Sequence, residues 1–311
     1  MTENWVLDQL YEITYIWNPR LKYADFIDEW DRFRRNVLLP IYRNTAKEPE
    51  MFIKRVHQYF RVEHQLNYER DSWDFLTALI EKDSGNCVCT TFLLILSAYT
   101  VGLFPFRFSI GYTHDHLFII TSDKQLYFET TILESTDWKP ISCIYELYNL
   151  IPPLDSIGIV DTVEGMVSYY TIHVASECIR KDRETAAIQL LSTYLGSNYL
   201  YPEMYLLQID LTDHEDINQV LDLGTKFIES IKEQRVVAIY IISLDDLIRT
   251  CIQNYLYNPE SEDFTSRRLC SIVTEIMNMY QELINYNPHF INYYQKGLSR
   301  INSVGSWCNL I

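Results

Sequence analysis

Ser84-Gly85-Asn86-Cys87-Val88-Cys89-Thr90 opens the stretch on which the fold turns, and it runs on through Phe92 and Ala98 to Gly102, Leu103 and Pro105. The polar turn 83–86 supplies N-cap residues. Residues 87–101 are apolar on every side, which predicts a buried helix there with Gly102 at its C-cap. No charge falls between Ser84 and Phe106, a run long enough to cross a bilayer. Gly85, Asn86, the threonines and Pro105 interrupt it, so the expectation is a buried helix and no membrane partner.

Downstream, 106–110, 116–120 and 125–129 are short and rich in β-formers, with turn residues at 111–115 and 122–124. That texture predicts an antiparallel meander of three strands. Upstream, 3–17, 23–39, 49–62 and 72–82 carry apolar residues at helical spacing. Beyond about residue 160 the pattern is helical again: 163–180, 183–195, 202–210, 215–233, 235–257, 265–286 and 289–303. Pro202 and Pro288 fall in first turns. Segments 202–210 and 288–296 are loosely alike but no fixed period emerges, so this is a helical-hairpin region rather than a repeat array. The expected class is α+β, mostly helical: a central helix packed on a small antiparallel sheet, then an all-α region. Ile151-Pro152-Pro153-Leu154 marks the expected boundary, giving domains 1–152 and 153–311.

Composition bounds the function. With 311 residues, 48% hydrophobic and 22% charged, the chain is an ordinary globular one of about two domains. A formal net charge of -16 repels phosphate backbones, which argues against nucleic acid as a general partner. The charge is uneven. Residues 20–61 hold ten Lys/Arg, Arg32, Arg34 and Arg35 among them, against six Asp/Glu, whereas 201–263 hold four against thirteen. Solvated helix faces explain this; so does a basic patch that meets an acidic partner. Seven cysteines without framework spacing, and a Met-Thr-Glu start with no apolar leader, predict an intracellular, reducing location and no secretion.

Acyl transfer by a thiol needs a stabilised thiolate, an adjacent base and a group that orients the base. Cys87 opens a helix, where free N–H groups and partial positive charge favour an anion and an oxyanion. His116 begins one strand and Glu129 ends the next, so both can converge on that helix start. Alternatives remain on both sides. Cys89 lies two residues on, roughly 200° around a helix. His114 shares a strand face with His116, although it falls in the turn 111–115. Cys87, Cys89, His114 and His116 also form a zinc-type ligand set, but cysteines at i and i+2 diverge on a helix.

At these residues the chain resembles the transglutaminase-like superfamily. Ser84 to Thr90 resembles the Gly-x-Cys helix start, and Phe92 to Pro105 its Leu/Ala-rich central helix. Gly111-Tyr112 and His116-Leu117-Phe118-Ile119 resemble the strand that opens with the family's His, and Tyr127-Phe128-Glu129-Thr130-Thr131 the strand that carries its acid. Val56-His57-Gln58-Tyr59-Phe60 and Asp74-Phe75-Leu76 resemble the preceding helices. A helical tail after such a core resembles bacterial members that end in tetratricopeptide-type helices. Glu129 stands where Asp is commoner, and Leu117 where an aromatic is usual.

The resemblance implies a Cys87-His116-Glu129 triad acting on peptide or side-chain amides, by proteolysis, deamidation or transamidation; no cofactor or calcium is expected, since the sequence carries no EF-type acidic loop. Gln65, Asn67, Tyr68 and Trp73 are the candidates for a side-chain oxyanion donor. The rival expectation is a catalytically inactive scaffold whose acidic helical half recruits a protein partner.

Overall fold

The computed structural model describes residues 3–68, 78–79, 84–113, 116–131, 137–148, 157–194, 201–212, 216–257 and 263–303. The chain divides into two compact units, Met1–Glu146 with Gly158–Tyr199, and Leu147–Ile157 with Leu200–Ile311. Residues 158–194, read from the sequence as the start of the helical half, therefore pack within the first unit; the Ile151–Leu154 boundary lies outside the described residues.

The first unit opens with α1 (Glu3–Trp17), α2 (Tyr23–Phe33), a π-helical turn (Arg34–Leu38) and α3 (Leu39–Thr45). The helical pattern read from the sequence runs over 23–39, just ahead of Pro40. The π turn widens the helix ahead of Pro40, and the chain stays helical to Thr45. Next comes α4 (Pro49–Gln58), continued by a second π turn, Tyr59–Glu63. Of the expected helix 72–82, Ala78 and Leu79 are described and helical, whereas Asp74, Phe75 and Leu76 lie outside the described residues.

The centre is α5 (Cys87–Thr100), buried continuously from Cys87 to Ala98, as a helix apolar on all faces must be. Gly102, at φ 77°, ends it: Gly102 N–H donates to Tyr99 O (2.9 Å) and Leu103 N–H to Ala98 O (2.8 Å). This is a Schellman closure of the last orphan carbonyls. No helix among the described residues is long and apolar enough to cross a membrane.

Two strands, β1 (Asn67–Tyr68) and β2 (Ser84–Gly85), pair in parallel just before α5. After α5 come β3 (Phe108–Tyr112), β4 (Leu117–Thr121), β5 (Leu126–Phe128), β6 (Trp138–Pro140), α6 (Ser142–Tyr148) and β7 (Gly158–Val160). The five later strands form one antiparallel sheet in the order β6-β5-β4-β3-β7. The three expected strands are its centre, and two strands not foreseen complete the edges. Pro140, which cannot donate to a ladder, sits on an edge strand accordingly. On the other edge, a Cβ at Gly158 would lie 2.0 Å from the Tyr112 ring, so glycine is what lets β7 close on β3. Every residue of β3 and β4 is buried, and α5 packs on both strands and on α4.

Helices α7 (Val163–Arg180) and α8 (Glu184–Tyr194) finish the unit. Helix α7 packs on α1, where Thr14 Oγ1 and Tyr170 OH share a buried 2.7 Å hydrogen bond. Arg183 donates to the terminal carbonyls of α1, Ile16 O at 2.8 Å and Trp17 O at 2.5 Å, and its guanidinium lies over the Trp17 ring. Arg32, Arg34 and Arg35 are engaged by their own surroundings: Arg32 pairs with Glu29, Arg34 with Glu3 and Asp31, and Arg35 donates to Asp31 O.

The second unit contains α9 (Pro202–Leu211), α10 (Ile217–Gln234), α11 (Ile241–Tyr257), α12 (Asp263–Tyr286) and α13 (Ile291–Ser303). Neighbours pack in sequence, α9 on α10, α11 on α12 and α12 on α13. Buried Asp245 accepts from Lys296 (2.6 Å) and Arg300 (2.5 Å), tying α11 to α13.

Candidate active site

Cys87 is the first residue of α5. Asn86 is the N-cap: its Oδ1 accepts from Cys89 N–H (3.1 Å) and its carbonyl from Thr90 N–H and Oγ1 (both 3.0 Å). The Cys87 N–H, at the first helical position, has no intrahelical acceptor to reach, so it is available to a developing oxyanion. The side chain is nearly buried, at 9% relative exposure, which leaves sulfur a narrow approach.

His116 and Glu129 meet through the sheet register. Strands β4 and β5 pair Ile119 with Phe128 and Ile120 with Tyr127. One further step in that register sets Phe118 opposite Glu129, and His116 shares the face of Phe118 two residues away. The Phe118 and Tyr127 rings meet edge to face on it. His116 Nε2 lies 3.0 Å from Glu129 Oε1 and 2.8 Å from Oε2. A carboxylate only accepts, so Nε2 carries a proton, which leaves Nδ1 as the ring nitrogen for sulfur. The Cys87 side chain lies close enough to the His116 ring to favour its charged form. The structure thus brings the three expected side chains together in one chain, Cys87–His116–Glu129.

The electrostatics follow from this contact. Burial opposes charging the His116 ring, but the bonds and charges of Cys87 and Glu129 outweigh it and raise its pKa to about 10. Burial likewise pushes the Glu129 carboxyl up, yet His116 and Thr131 together bring it below its ordinary value. Glu129 Oε1 also accepts from Thr131 N–H (3.1 Å) and Oγ1 (2.7 Å), which orients the carboxylate from behind.

Of the alternatives, Cys89 is described and fully buried, and a Cβ at Gly85 would stand 2.5 Å from its sulfur and 3.5 Å from Leu66. His114 and Asp115 lie outside the described residues, as does Trp73. Among the described residues no group of three or more His, Cys, Asp or Glu is placed to hold a metal ion. Of the oxyanion candidates, Gln65 is exposed at φ 60°, whereas the β1–β2 pairing aligns Asn67 with Ser84 and Tyr68 with Gly85, two residues ahead of Cys87 in the chain.

Sequence reasoning passed over the support behind the acid. His57, wholly buried on α4, approaches Thr130 O at 3.0 Å through Nε2. Thr130 Oγ1 contacts Thr91 Oγ1 (3.1 Å) and Leu117 O (3.5 Å). The available signal was a histidine within the apolar face of Phe52, Ile53, Val56 and Phe60. No family model matches the chain, and no curated protein or solved structure compared with it matches either.

Proposed function

We propose that the chain is a transglutaminase-like cysteine hydrolase or acyltransferase acting on peptide or side-chain amides. The observation that carries this reading is Cys87 at a helix start beside a His116 ring whose Nε2 is held by Glu129. Cys87 sulfur attacks the amide carbonyl carbon, and the oxyanion forms against the Cys87 N–H. His116, an imidazolium beside the sulfur, gives its Nδ1 proton to the departing amine as the C–N bond breaks. Glu129 holds the ring through Nε2. Water or a second amine then attacks the thioester, gives its proton to His116 and expels Cys87 as the thiolate, which restores the starting pair. The choice among proteolysis, deamidation and transamidation belongs to the acceptor pocket.

The test is alkylation of the folded protein by iodoacetamide from pH 4 to 9, resolved cysteine by cysteine by mass spectrometry. Cys87 is expected to label fast at pH 6, where a free thiol with its pKa of about 8.5 is almost wholly protonated. His116→Ala should slow that labelling at least tenfold. Labelling of Cys87 no faster than a denatured control at pH 6 would sink the catalytic reading.

A second reading, a protein-binding module without turnover, is favoured by one feature of the helical unit. A cleft of about 320 Å³ is lined by residues including Met277, Asn278, Gln281, Tyr294, Leu298 and Asn302, with no charged side chain among the described residues of its lining. Primary amides beside apolar side chains suit a peptide's backbone and side chains.

A further inference from the structure

We infer that Thr130, fixed in place by His57, is a positioning residue that holds the nucleophile, base and acid in one register; this rests on the catalytic reading of the triad. The ladder between β4 and β5 ends at Phe128, one residue before the acid. The backbone of 129–131 therefore lacks the pairing that fixes an ordinary strand residue, and something else must set where Glu129 stands. Thr130 supplies it through three bonds, one to α4, one to the helix that carries Cys87 and one to the neighbour of His116.

The first bond is to α4. A carbonyl only accepts, so the His57 ring carries its proton on Nε2 and donates it to Thr130 O at 3.0 Å. The ring cannot drift. It is wholly buried, its helix is anchored by Phe52, Ile53, Val56 and Phe60, and it stands edge-on to Phe128 at 5.2 Å. Its Nδ1 is buried without a partner, so the bond to Thr130 is the ring's single polar tether. The second bond is to the nucleophile's own helix: Thr91, four residues on from Cys87 and on the same helical face, meets Thr130 Oγ1 at 3.1 Å. The third, longer bond runs from Thr130 Oγ1 to Leu117 O at 3.5 Å, next to His116. Because Leu117 O only accepts, the protons run one way, Thr91 to Thr130 to Leu117. Thr130 is itself the neighbour of Glu129, so displacing it moves all three supports at once. Without His57 its buried carbonyl would also lack a partner, a cost the chain relieves by shifting.

The experiment is the same Cys87 alkylation at pH 6, on the full chain, with variants that separate positioning from loosening. His57→Leu removes the donor, and His57→Gln keeps an amide N–H near the place of Nε2. Thr130→Val removes the hydroxyl at nearly constant shape, and Thr130→Ser keeps it. Thr14→Val deletes the buried bond to Tyr170 elsewhere in the same unit and serves as the control. His57→Leu and Thr130→Val should each slow Cys87 labelling at least tenfold and shift its pH profile toward that of a free thiol. His57→Gln and Thr130→Ser should restore the rate to within about threefold, and Thr14→Val should leave it alone. Should His57→Leu not fold, Thr130→Val decides the matter alone. If the wild type labels fast and Thr130→Val labels equally fast, or Thr14→Val slows labelling as much, the positioning role is wrong and the catalytic reading stands. If the wild type itself labels slowly, the catalytic reading falls and this inference falls with it.

Discussion

At the scale of single residues, the packing of the first turn of α5 depends on what is missing from Gly85. Its absent side chain leaves the space that Cys89 sulfur fills, and an added Cβ would meet that sulfur at 2.5 Å and the Cys89 Cβ at 3.0 Å. Overpacking of this kind costs about 1–3 kcal/mol. Gly85→Ala should therefore lower stability by that order. Cys89→Ala, which removes the sulfur, should relieve the clash, so the double variant should be more stable than the sum of the two single losses predicts. Urea unfolding of the four proteins measures the coupling. Strict additivity would mean that the two side chains do not contend for the same space. The same contact shows why the triad was legible in the sequence and its surroundings were not. Cys87, His116 and Glu129 each stand at the end of an element, where chain order and element type already narrow the choice. That Cys89 packs under Gly85, or that His57 reaches Thr130 across 73 positions, follows from tertiary contact alone.

At the scale of elements, helices were readable nearly to the residue because their ends carry their own chemistry. Asn86 and Thr162 accept from the N–H three residues on, Pro202 opens α9, and Gly102 closes α5. Strands β6 and β7 have no such punctuation. At three residues each they are too short to show alternation, and their pairing is set by partners, Gly158 under Tyr112 and Trp138 stacked on Phe108. The helix read over 23–39 runs on past Pro40 to Thr45, because a π turn at 34–38 absorbs a residue that ordinarily stops a helix. Gly102 isolates the capping contribution cleanly. Its φ is 77° and nothing lies within 4 Å of where a Cβ would stand, so the cost of Gly102→Ala is backbone strain alone. The loss should be about 1 kcal/mol, with Gly102→Asn milder because Asn tolerates the left-handed region. Denaturant midpoints for the two variants check the order; an Ala variant as stable as the parent would mean that the Schellman closure does not hold α5.

At the scale of the molecule, the charge asymmetry read from the sequence resolves into local pairing. Lys232 meets Glu275, Arg268 meets Asp222, and Asp245 takes both Lys296 and Arg300. The exposed pairs, Lys232–Glu275 and Arg268–Asp222, contribute little, and the dependence of the first unit's stability on pH should be governed by its own buried titrating groups. These pull in opposite directions. His116 titrates at about 10 in the fold against 6.5 unfolded, so its contribution is full below pH 6.5 and is lost as pH rises through 10. Burial lowers His57 to about 4, and His173, whose Nε2 is buried and unpartnered, also to about 4. Both rings are neutral in the fold, so their contribution is full above pH 6.5 and is lost as pH falls toward 4. Glu129, lowered in the fold, adds to the acid-side loss as it protonates. Stability of the first unit should therefore peak near pH 6.5 and fall by a few kcal/mol on each side. The measurement is the urea midpoint as a function of pH, followed by hydrogen exchange across α5 with intrinsic rates corrected. Single variants assign the limbs: His116→Gln should flatten the alkaline fall and His57→Gln should reduce the acid one. An alkaline limb unchanged in His116→Gln would mean that the imidazolium between Cys87 and Glu129 is not stabilised by the fold, and the base of the proposed mechanism would have to be sought elsewhere.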